Sequence, residues 1–177
     1  MDIYAFLDSH GISYQRFDHE AVFTCEQAKE IRTEPMPGKD TKNLFLRDEK
    51  GKRHFLVTVG HEKQVDIKAL KKIFDVHPPS SAAADYGGVK KLSFASPERL
   101  KTYLGVDPGS VTLLGLVNDT DHAVEVFIDE AIWKADAVCC HPLVNTATLV
   151  IAHAGLVKFL QATGHAATVI NVQTIQI

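Results

Sequence analysis

Two apolar segments joined by a short charged turn constrain the fold of this chain most. The segments KNLFLRD (42–48) and RHFLVTVG (53–60) are rich in aliphatic and aromatic residues, and EKG between them is typical of a turn. Strands joined this closely pair as an antiparallel hairpin. VTLLGLVND (111–119) and AVEVFID (123–129) surround another polar turn and predict a second hairpin. Paired hairpins argue against a doubly wound parallel sheet.

Helix-start and helix-stop residues place helices between these strands. Serine, proline and glutamate at 96–98 supply a cap, a rigid first turn and an acid near the positive end of the helix dipole. One domain of mixed α/β (α+β) class is therefore expected over residues 1–177. Further helices are predicted at 3–10, 24–31, 66–74 and 153–163, and further strands at 12–17, 89–94, 145–152 and 167–172.

Composition and charge exclude several function classes. The formal net charge is -3, whereas proteins that hold nucleic acid along many phosphates are usually basic. Any contact with nucleic acid should therefore be small and local. No apolar run approaches the ~20 residues of a membrane span, so no membrane association is expected. The N-terminus lacks the basic segment of a secretion signal, and the scarce cysteines fit a reducing cytoplasm.

The stretch CCHPLVNTATLVI (139–151) combines an apparent core strand with unusual polar chemistry. Residues 139–141 are consecutive, and neighbouring side chains of an extended chain point to opposite faces, so they cannot converge on one ion. We expect no metal and no cofactor. The amide of Asn145 and the hydroxyls of Thr146 and Thr148 need hydrogen-bond partners if buried. They either bond the backbone and each other, or line a pocket for a polar ligand.

The turn LGVDPGSV (104–111) is a candidate anion site. Gly105 ends a helix, and Pro108 with Gly109 turns the chain tightly before the next segment. Such a turn can present successive backbone N–H groups to an anion or a developing oxyanion. Ordinary turn chemistry explains the same residues equally well.

Two side chains are candidates for direct chemistry. Lys42 begins an apolar strand after a Pro/Gly loop. Its ammonium could bind a phosphate or a carbonyl oxygen there, or it is a solvated edge residue that discourages pairing with another strand. A Ser110–His141 pair would suit a small hydrolase, but GxSxG is absent, and a turn serine that bonds local backbone is the simpler interpretation.

Three stretches together resemble the YbaK/ProX family of trans-editing aminoacyl-tRNA deacylases. They are MPGKDTKNLFLRD (36–48), LGVDPGSVTLLGLVND (104–119) and HPLVNTATLVI (141–151), and HEAVFTCEQA and KKLSFAS match in order. The resemblance implies a compact domain with a curved, mixed, largely antiparallel, barrel-like sheet surrounded by helices. It also implies an ester hydrolase that uses water, without a metal or cofactor, to remove wrong amino acids from tRNA. The first stretch is nearer the ProX branch, which implies alanine on proline tRNA; the YbaK branch implies cysteine.

The resemblance also assigns roles to residues. Loop amides would hold the ester carbonyl oxygen, Lys42 would anchor the terminal adenosine, and His141 with Asn145 would shape the aminoacyl pocket. A pocket of restricted size would admit alanine and exclude proline. The implied catalytic residues are Lys42, Gly105, Pro108, Gly109, Ser110, His141 and Asn145. The implied substrate-binding residues are Val22, Phe23, Asn43, Phe45, Leu143 and Thr146.

The implied partner is the acceptor end of a tRNA, most directly proline tRNA. Prolyl-tRNA synthetase is a further partner to test, and the protein itself is expected to be a monomer. Two rival functions stay open at this point. One is a deacylase for cysteine on proline tRNA, and the other is a non-catalytic module that binds aminoacyl-tRNA or a free amino acid.

Overall fold

The computed structural model describes residues 1–21, 36–77 and 88–175. Within these ranges eight strands form one mixed sheet in the order β1-β7-β6-β2-β3-β5-β8, with β4 pairing separately with β2. The sheet is not closed, and helices flank it, so the predicted mixed α/β class is confirmed. The strands are β1 (Tyr14–Asp18), β2 (Lys39–Asp48), β3 (His54–Gly60), β4 (Leu92–Phe94), β5 (Val124–Asp129), β6 (Ala137–Cys140), β7 (Ala147–Ala152) and β8 (Ala167–Ile170).

The helices begin and end largely where the sequence signals placed them. Asp2 caps the first helix and Asp66 the second, each through its carboxylate oxygen and two backbone amides. The helix predicted at 24–31 lies outside the described residues. The described helices are α1 (Ile3–Ser9), α2 (Ile67–Val76), α3 (Pro97–Arg99, continuing as a π-helical turn over Leu100–Leu104), α4 (Glu130–Trp133) and α5 (His153–Ala162), with a 3-10 helix at Leu113–Asn118.

The first predicted hairpin is confirmed. Strands β2 and β3 are antiparallel, with Lys42 opposite Val59 and Leu46 opposite Phe55. The pattern was readable because both strands carry long apolar runs on either side of a turn with a positive-φ glycine, Gly51.

The second predicted hairpin is wrong. Residues 113–118 form the 3-10 helix, and β5 pairs in parallel with β3 and β8 instead. The Thr112 hydroxyl accepts from the Leu114 amide and begins the helix. Leu113 to Val117 are all buried, so the segment is enclosed on every side and shows no helical amphipathicity. A short, fully buried apolar run has the same composition whether it is strand or helix.

Two apolar clusters pack on the sheet and hold it in place. The first contains Leu56, Val126 and Leu149, and the second is built around the stacked rings of Phe55 and Phe74, whose centroids lie 4.2 Å apart. Each buried large side chain contributes about 1.5–3 kcal/mol to folding. Within the described ranges, no helix has the length and apolarity needed to cross a membrane.

Candidate active site

The sheet opens beside the first half of β2. On one edge, β2 pairs with β6 only through Lys39 and Asp40, and with β4 only from Leu46 onward. Among the described strands, none pairs with this edge at 41–44. This stretch of β2 therefore borders a gap in the sheet between the pairing with β6 and the pairing with β4.

Main-chain polar groups point into this gap. The Asp40 carbonyl accepts from His61, next to β3, and the Phe45 carbonyl accepts from Ala95, next to β4. Because backbone groups alternate along a strand, the Thr41 carbonyl and the N–H and carbonyl of Asn43 face the open edge, whereas the Thr41 N–H belongs to the ladder with β6. Unpaired N–H and C=O groups at an edge are ready to bind another molecule.

A polar cavity of about 30 Å³ lies at this opening. A water molecule needs roughly 10–15 Å³ of such volume, so the cavity has room for one or two waters. Its described lining comes from β2, from the end of β6 and its following turn, and from β7. These residues are Asp40, Thr41, Asn43, Cys139, Cys140, His141 and Thr148.

Asn43 joins the cavity to the Gly/Pro turn. Its side-chain nitrogen donates to the Val111 carbonyl at 3.3 Å, and its side-chain oxygen accepts from the Thr58 hydroxyl at 2.7 Å. The two bonds fix the orientation of the amide. Segments 36–48, 104–119 and 141–151, which carry the family resemblance, thus converge on one region of the fold.

The Gly/Pro turn uses some of its own amides internally. The Gly105 N–H donates to the Lys101 carbonyl at 3.2 Å, and the Ser110 N–H donates to the Asp107 carbonyl at 3.0 Å. The proline at 108 has no N–H. In the described part of the chain, the amides of Asp107 and Gly109 have no backbone partner, so they are the donors of this turn left for an anion.

Lys42 lies beside the opening rather than in it. Side chains alternate along a strand, so Lys42 leaves β2 on the face opposite Asn43. Its cross-strand neighbour Val59 belongs to the second apolar cluster. Lys42 is half-buried, and among the described residues its ammonium has no ion-pair partner. This position suits an anchor for a phosphate or ribose better than a group that polarises the ester.

Hydrogen bonds fix the tautomers of two neutral histidines at the site: His141, which lines the cavity, and His19, which bonds to the lining residue Thr148. His141 Nδ1 lies 3.0 Å from the Ala147 carbonyl oxygen, so Nδ1 carries the proton and, in the neutral ring, Nε2 is an acceptor. His19 Nδ1 likewise donates to the Glu20 carbonyl at 2.8 Å, so its Nε2 accepts from the Thr148 hydroxyl at 2.9 Å. The hydroxyl proton of Thr148 is thereby committed to His19, and the oxygen keeps its lone pairs for the cavity.

Sequence reasoning did not identify His19 as part of the site. The two residues of the His19–Thr148 hydrogen bond are 129 positions apart, so no local spacing could reveal the pair. Thr148 did give a signal, because a hydroxyl in an aliphatic strand needs a partner. Asp40 and Thr41 were also missed; the Thr41 hydroxyl donates to the Cys139 carbonyl at 2.7 Å.

The polar half of the 139–151 stretch is a turn and not the start of a strand. β6 ends at Cys140, β7 begins at Ala147, and the two strands are antiparallel. The expected strand at 145–152 therefore begins two residues late. Leu143 adopts a left-handed conformation with φ 66°, which is costly for a branched side chain and often marks a functional turn.

The remaining predicted residues occupy varied positions around the turn and core. Asn145 is half-buried, whereas Thr146 is exposed and its carbonyl accepts from the His19 amide at 2.9 Å. Phe45 is 3% exposed and stacks on His54, so in this structure it packs in the core. Val22 and Phe23 lie outside the described residues. The binding roles assigned to these residues stay predictions.

Cys140 is unsuited to act as a nucleophile although it lines the cavity. Burial, with a smaller effect of Cys139, raises the pKa of the Cys140 thiol to about 12. The thiol is therefore protonated at neutral pH, and only a thiolate is strongly nucleophilic. Across residues 1–21, 36–77 and 88–175, no three His, Cys, Asp or Glu side chains are grouped to hold a metal ion.

Comparison with known proteins relates the whole arrangement to one family. The sequence profile of the aminoacyl-tRNA editing domain matches residues 19–159. The prolyl-tRNA editing protein ProX of Acetoanaerobium sticklandii is 36% identical over 163 residues, which cover 92% of this chain and 91% of that protein. The prolyl-tRNA synthetase associated domain-containing protein 1 of Mus musculus is 32% identical over 167 residues, with coverage of 93% and 91%.

A solved structure confirms the fold. A crystal structure described as a candidate trans-editing enzyme for prolyl tRNA synthetase superposes with a TM-score of 0.62 at 19% identity, over 97% of this chain and 94% of that chain. The profile match spans most of the chain, and the sequence identity to the bacterial relative extends along nearly all of it. The chain therefore belongs to the aminoacyl-tRNA editing domain family, the hydrolases that deacylate aminoacyl-tRNA, as the sequence resemblance predicted.

Proposed function

We propose that this protein edits proline tRNA in trans and that the amino acid it removes is alanine. Its relatives in Acetoanaerobium sticklandii and Mus musculus are named for prolyl-tRNA editing and for association with prolyl-tRNA synthetase. The observation that carries the proposal is that two of the family stretches line one water-sized polar cavity at an open strand edge, while the third is hydrogen-bonded to its lining residue Asn43.

The proposed reaction needs only water as the nucleophile. An aminoacyl-tRNA ester is already activated, so a positioned water and a stabilised oxyanion are sufficient. The water oxygen bonds to the ester carbonyl carbon and loses its proton to a base. The tetrahedral oxyanion then collapses, the bond to the ribose oxygen breaks, and that oxygen takes up a proton. His141 is the base we favour, because its Nδ1 proton is held by the Ala147 carbonyl and Nε2 is the acceptor.

Backbone donors supply the oxyanion site in this proposal. Two sets are available: the Asn43 amide at the open edge of β2, where Asn43 lines the cavity, and the amides of Asp107 and Gly109 in the turn. The bond from Asn43 to Val111 keeps these two sets next to each other. Removing a single preorganised donor typically costs about 10²–10³ in kcat.

Lys42 anchors the 3′ end of the tRNA in this proposal. Lys42 is half-buried in the strand that borders the gap, on the face opposite Asn43, and its ammonium pairs with no described carboxylate. An ammonium is a point charge that suits phosphate without requiring a fixed geometry. The partner is thus the acceptor end of the tRNA, presented in the cytoplasm where prolyl-tRNA synthetase charges it.

Selectivity follows from the size of the space. A synthetase pocket built for proline discriminates poorly against smaller side chains, because a missing methylene is worth only about 1–3 kcal/mol. A small second pocket reverses the selection by admitting alanine and excluding the proline ring. Leu143, held in its unusual conformation against the first apolar cluster, and Asn145 are the described residues we expect to border it.

A deacylation panel tests the function. The protein is incubated with proline tRNA carrying alanine, cysteine or proline, and ester loss is followed. We expect rapid loss of alanine and retention of proline. Loss of cysteine alone would assign the YbaK-type activity, and no loss from any substrate would assign a binding module.

Matched lysine variants test the site within the same panel. Lys42→Ala is expected to lower kcat/KM on the order of 100-fold, the loss typical of misplaced substrate. Lys39→Ala removes an exposed lysine from the same strand and serves as the control. Ser110→Ala is expected to have at most a partial effect. Abolition by Ser110→Ala with Lys42→Ala unimpaired would replace the water mechanism by a serine hydrolase.

A further inference from the structure

Four lysines lie together at the far end of the β2–β3 hairpin. Lys50 and Lys52 are in the turn between the two strands, and Lys90 and Lys91 precede β4; all four are exposed. We call them the hairpin-tip cluster. The Glu49 carboxylate joins the two segments, since one oxygen accepts from the amides of Lys90 and Lys91 at 3.1 and 3.3 Å.

The ammonium groups of this cluster are not paired with acids. None of the four has an ion pair or hydrogen bond among the described residues, although Asp48 and Glu49 accept hydrogen bonds from backbone amides of the two segments. Cations elsewhere on the described surface are commonly paired. Those pairs are Arg16–Asp18, Arg53–Glu125, Lys63–Asp129, Lys71–Asp75, Lys101–Asp107 and Lys134–Glu130.

A concentrated positive patch is unexpected on a chain whose net charge is -3. Other lysines also lack an ion-pair partner within the described ranges, such as Lys39 in β2 and Lys68 and Lys72 in α2. Each of those groups comes from a single element. The tip combines two separate segments of chain, held by hydrogen bonds, into one surface. Clustered ammonium groups without acids attract polyanions and meet phosphates as point charges.

The cluster is well placed relative to the candidate active site. Lys42 and Asp48 are six residues apart in β2, which at about 3.3 Å per residue makes roughly 20 Å. The tip follows directly after Asp48. A ligand whose 3′ end enters the gap beside Lys42 would therefore have its next phosphates available at the tip, provided it runs along the hairpin.

We infer that the hairpin-tip cluster binds backbone phosphates of the tRNA acceptor stem while the aminoacylated 3′ end occupies the gap. This inference rests on the proposed function and adds the surface that receives the body of the tRNA. Lysine contacts to phosphate position a nucleic acid without reading its sequence. The cluster therefore contributes affinity that is common to all tRNAs, and selection stays with the aminoacyl pocket and the end of the stem.

The inference predicts the contribution of the hairpin-tip cluster to the salt dependence of binding. Four phosphate contacts give a slope of about -3 to -4 for log affinity against log salt concentration. Each lost lysine contact lowers the magnitude of that slope by about 1. This is a weak dependence compared with proteins that make six to ten phosphate contacts, in keeping with the acidic chain.

The test compares two charge-matched double variants of the full chain. K50E/K52E changes the tip, and K68E/K158E makes the same change of charge at exposed lysines of α2 and α5. Affinity for uncharged proline tRNA is measured at several KCl concentrations. Deacylation is measured on alanyl-tRNA and on an alanylated CCA trinucleotide, which is too short to reach the tip.

We expect K50E/K52E to weaken tRNA binding at least tenfold more than the control and to flatten its salt slope by about 2. Hydrolysis of the trinucleotide should equal that of the wild type. K50Q/K52Q removes the two charges without reversing them, so its tRNA affinity should lie between those of K50E/K52E and the wild type. It also provides the test if the charge reversal disturbs folding. Equal tRNA affinity of the tip and control variants would overturn the inference, as would parallel loss of trinucleotide hydrolysis.

The two proposals fail in different ways. A wild-type protein that cleaves neither substrate refutes the proposed editing function. The binding measurement uses uncharged tRNA and needs no catalysis, so it decides about the hairpin-tip cluster in either case.

Discussion

Replacing Thr148 by valine tests whether the cavity holds the hydrolytic water. Thr148 is 2% exposed, lines the cavity, and donates its hydroxyl proton to His19 Nε2 at 2.9 Å. Valine has nearly the same shape, so Thr148→Val removes the oxygen without opening a void. The change removes the Thr148 hydroxyl oxygen, which the bond to His19 orients so that it can accept a hydrogen bond from a water in the cavity.

The expected losses of stability and activity differ in size. Stability falls by about 1 kcal/mol, the usual net value of one hydrogen bond, because His19 Nε2 loses its donor. For a chain of this length that lowers the melting temperature by roughly 2–4 °C. A cavity of about 30 Å³ holds only one or two waters, so each polar contact with the lining is a large share of what positions them. We therefore expect kcat to fall about 100-fold, as when a single preorganised polar contact is lost.

Steady-state deacylation of alanyl-tRNA and thermal melting measure the two quantities. Thr148→Ser is the control, because it keeps the hydroxyl and the bond to His19 while removing one methyl group. Its kcat should stay within about tenfold of the wild type. A Thr148→Val enzyme with unchanged kcat would refute the reasoning, and so would a serine variant as impaired as the valine variant at equal stability.

Three further predictions concern the framework of the site. Gly105→Ala should destabilise the fold by about 2 kcal/mol or more in denaturant titration, because φ is +68° and a Cβ would lie 2.5 Å from Asn118 Nδ2. Cys140 should resist alkylation in the native protein at pH 8, since its pKa is raised to about 12, and rapid labelling seen by mass spectrometry would contradict this. Burial alone would raise the pKa of Asp119, but hydrogen bonds from His165 and two amides lower it overall. The stabilisation by the Asp119 carboxylate is thus present above the unfolded pKa and lost as pH falls through the folded pKa. Asp119→Asn should therefore cost about 1.5–3 kcal/mol at pH 7, the value of hydrogen bonds to a charged group, and converge with the wild type in acid.

Local signals predicted the elements whose ends are encoded nearby. The β2–β3 hairpin and the helix capped by Asp66 depend on residues within a few positions of each boundary, and both are present. The failure at 113–118 has the opposite origin. That run is enclosed by the rest of the domain, with Gly115 in close contact with Leu104, and tertiary packing decided its conformation.

The site was predictable in its components but not in its geometry. Resemblance selected Lys42, Asn43 and His141, and the structure places all three at or beside the gap. It could not show which face of the sheet carries the cavity, and therefore that Asn43 lines it while Lys42 lies on the face of the second apolar cluster, because that depends on tertiary packing. Nor could it find His19, whose partner belongs to a strand at the other end of the chain.

The open edge of β2 explains why polar residues interrupt the 139–151 stretch. A gap in a sheet leaves main-chain donors and acceptors without partners, and burying them empty would cost free energy. Polar side chains collect around the gap instead: the Thr41 hydroxyl bonds the Cys139 carbonyl, and the Thr148 hydroxyl bonds the His19 ring. The arrangement that makes the gap tolerable in the folded protein is thus the same one that would orient a water and hold an oxyanion. An editing site of this kind needs little beyond a sheet that fails to close at one place, because the ester supplies most of the reactivity.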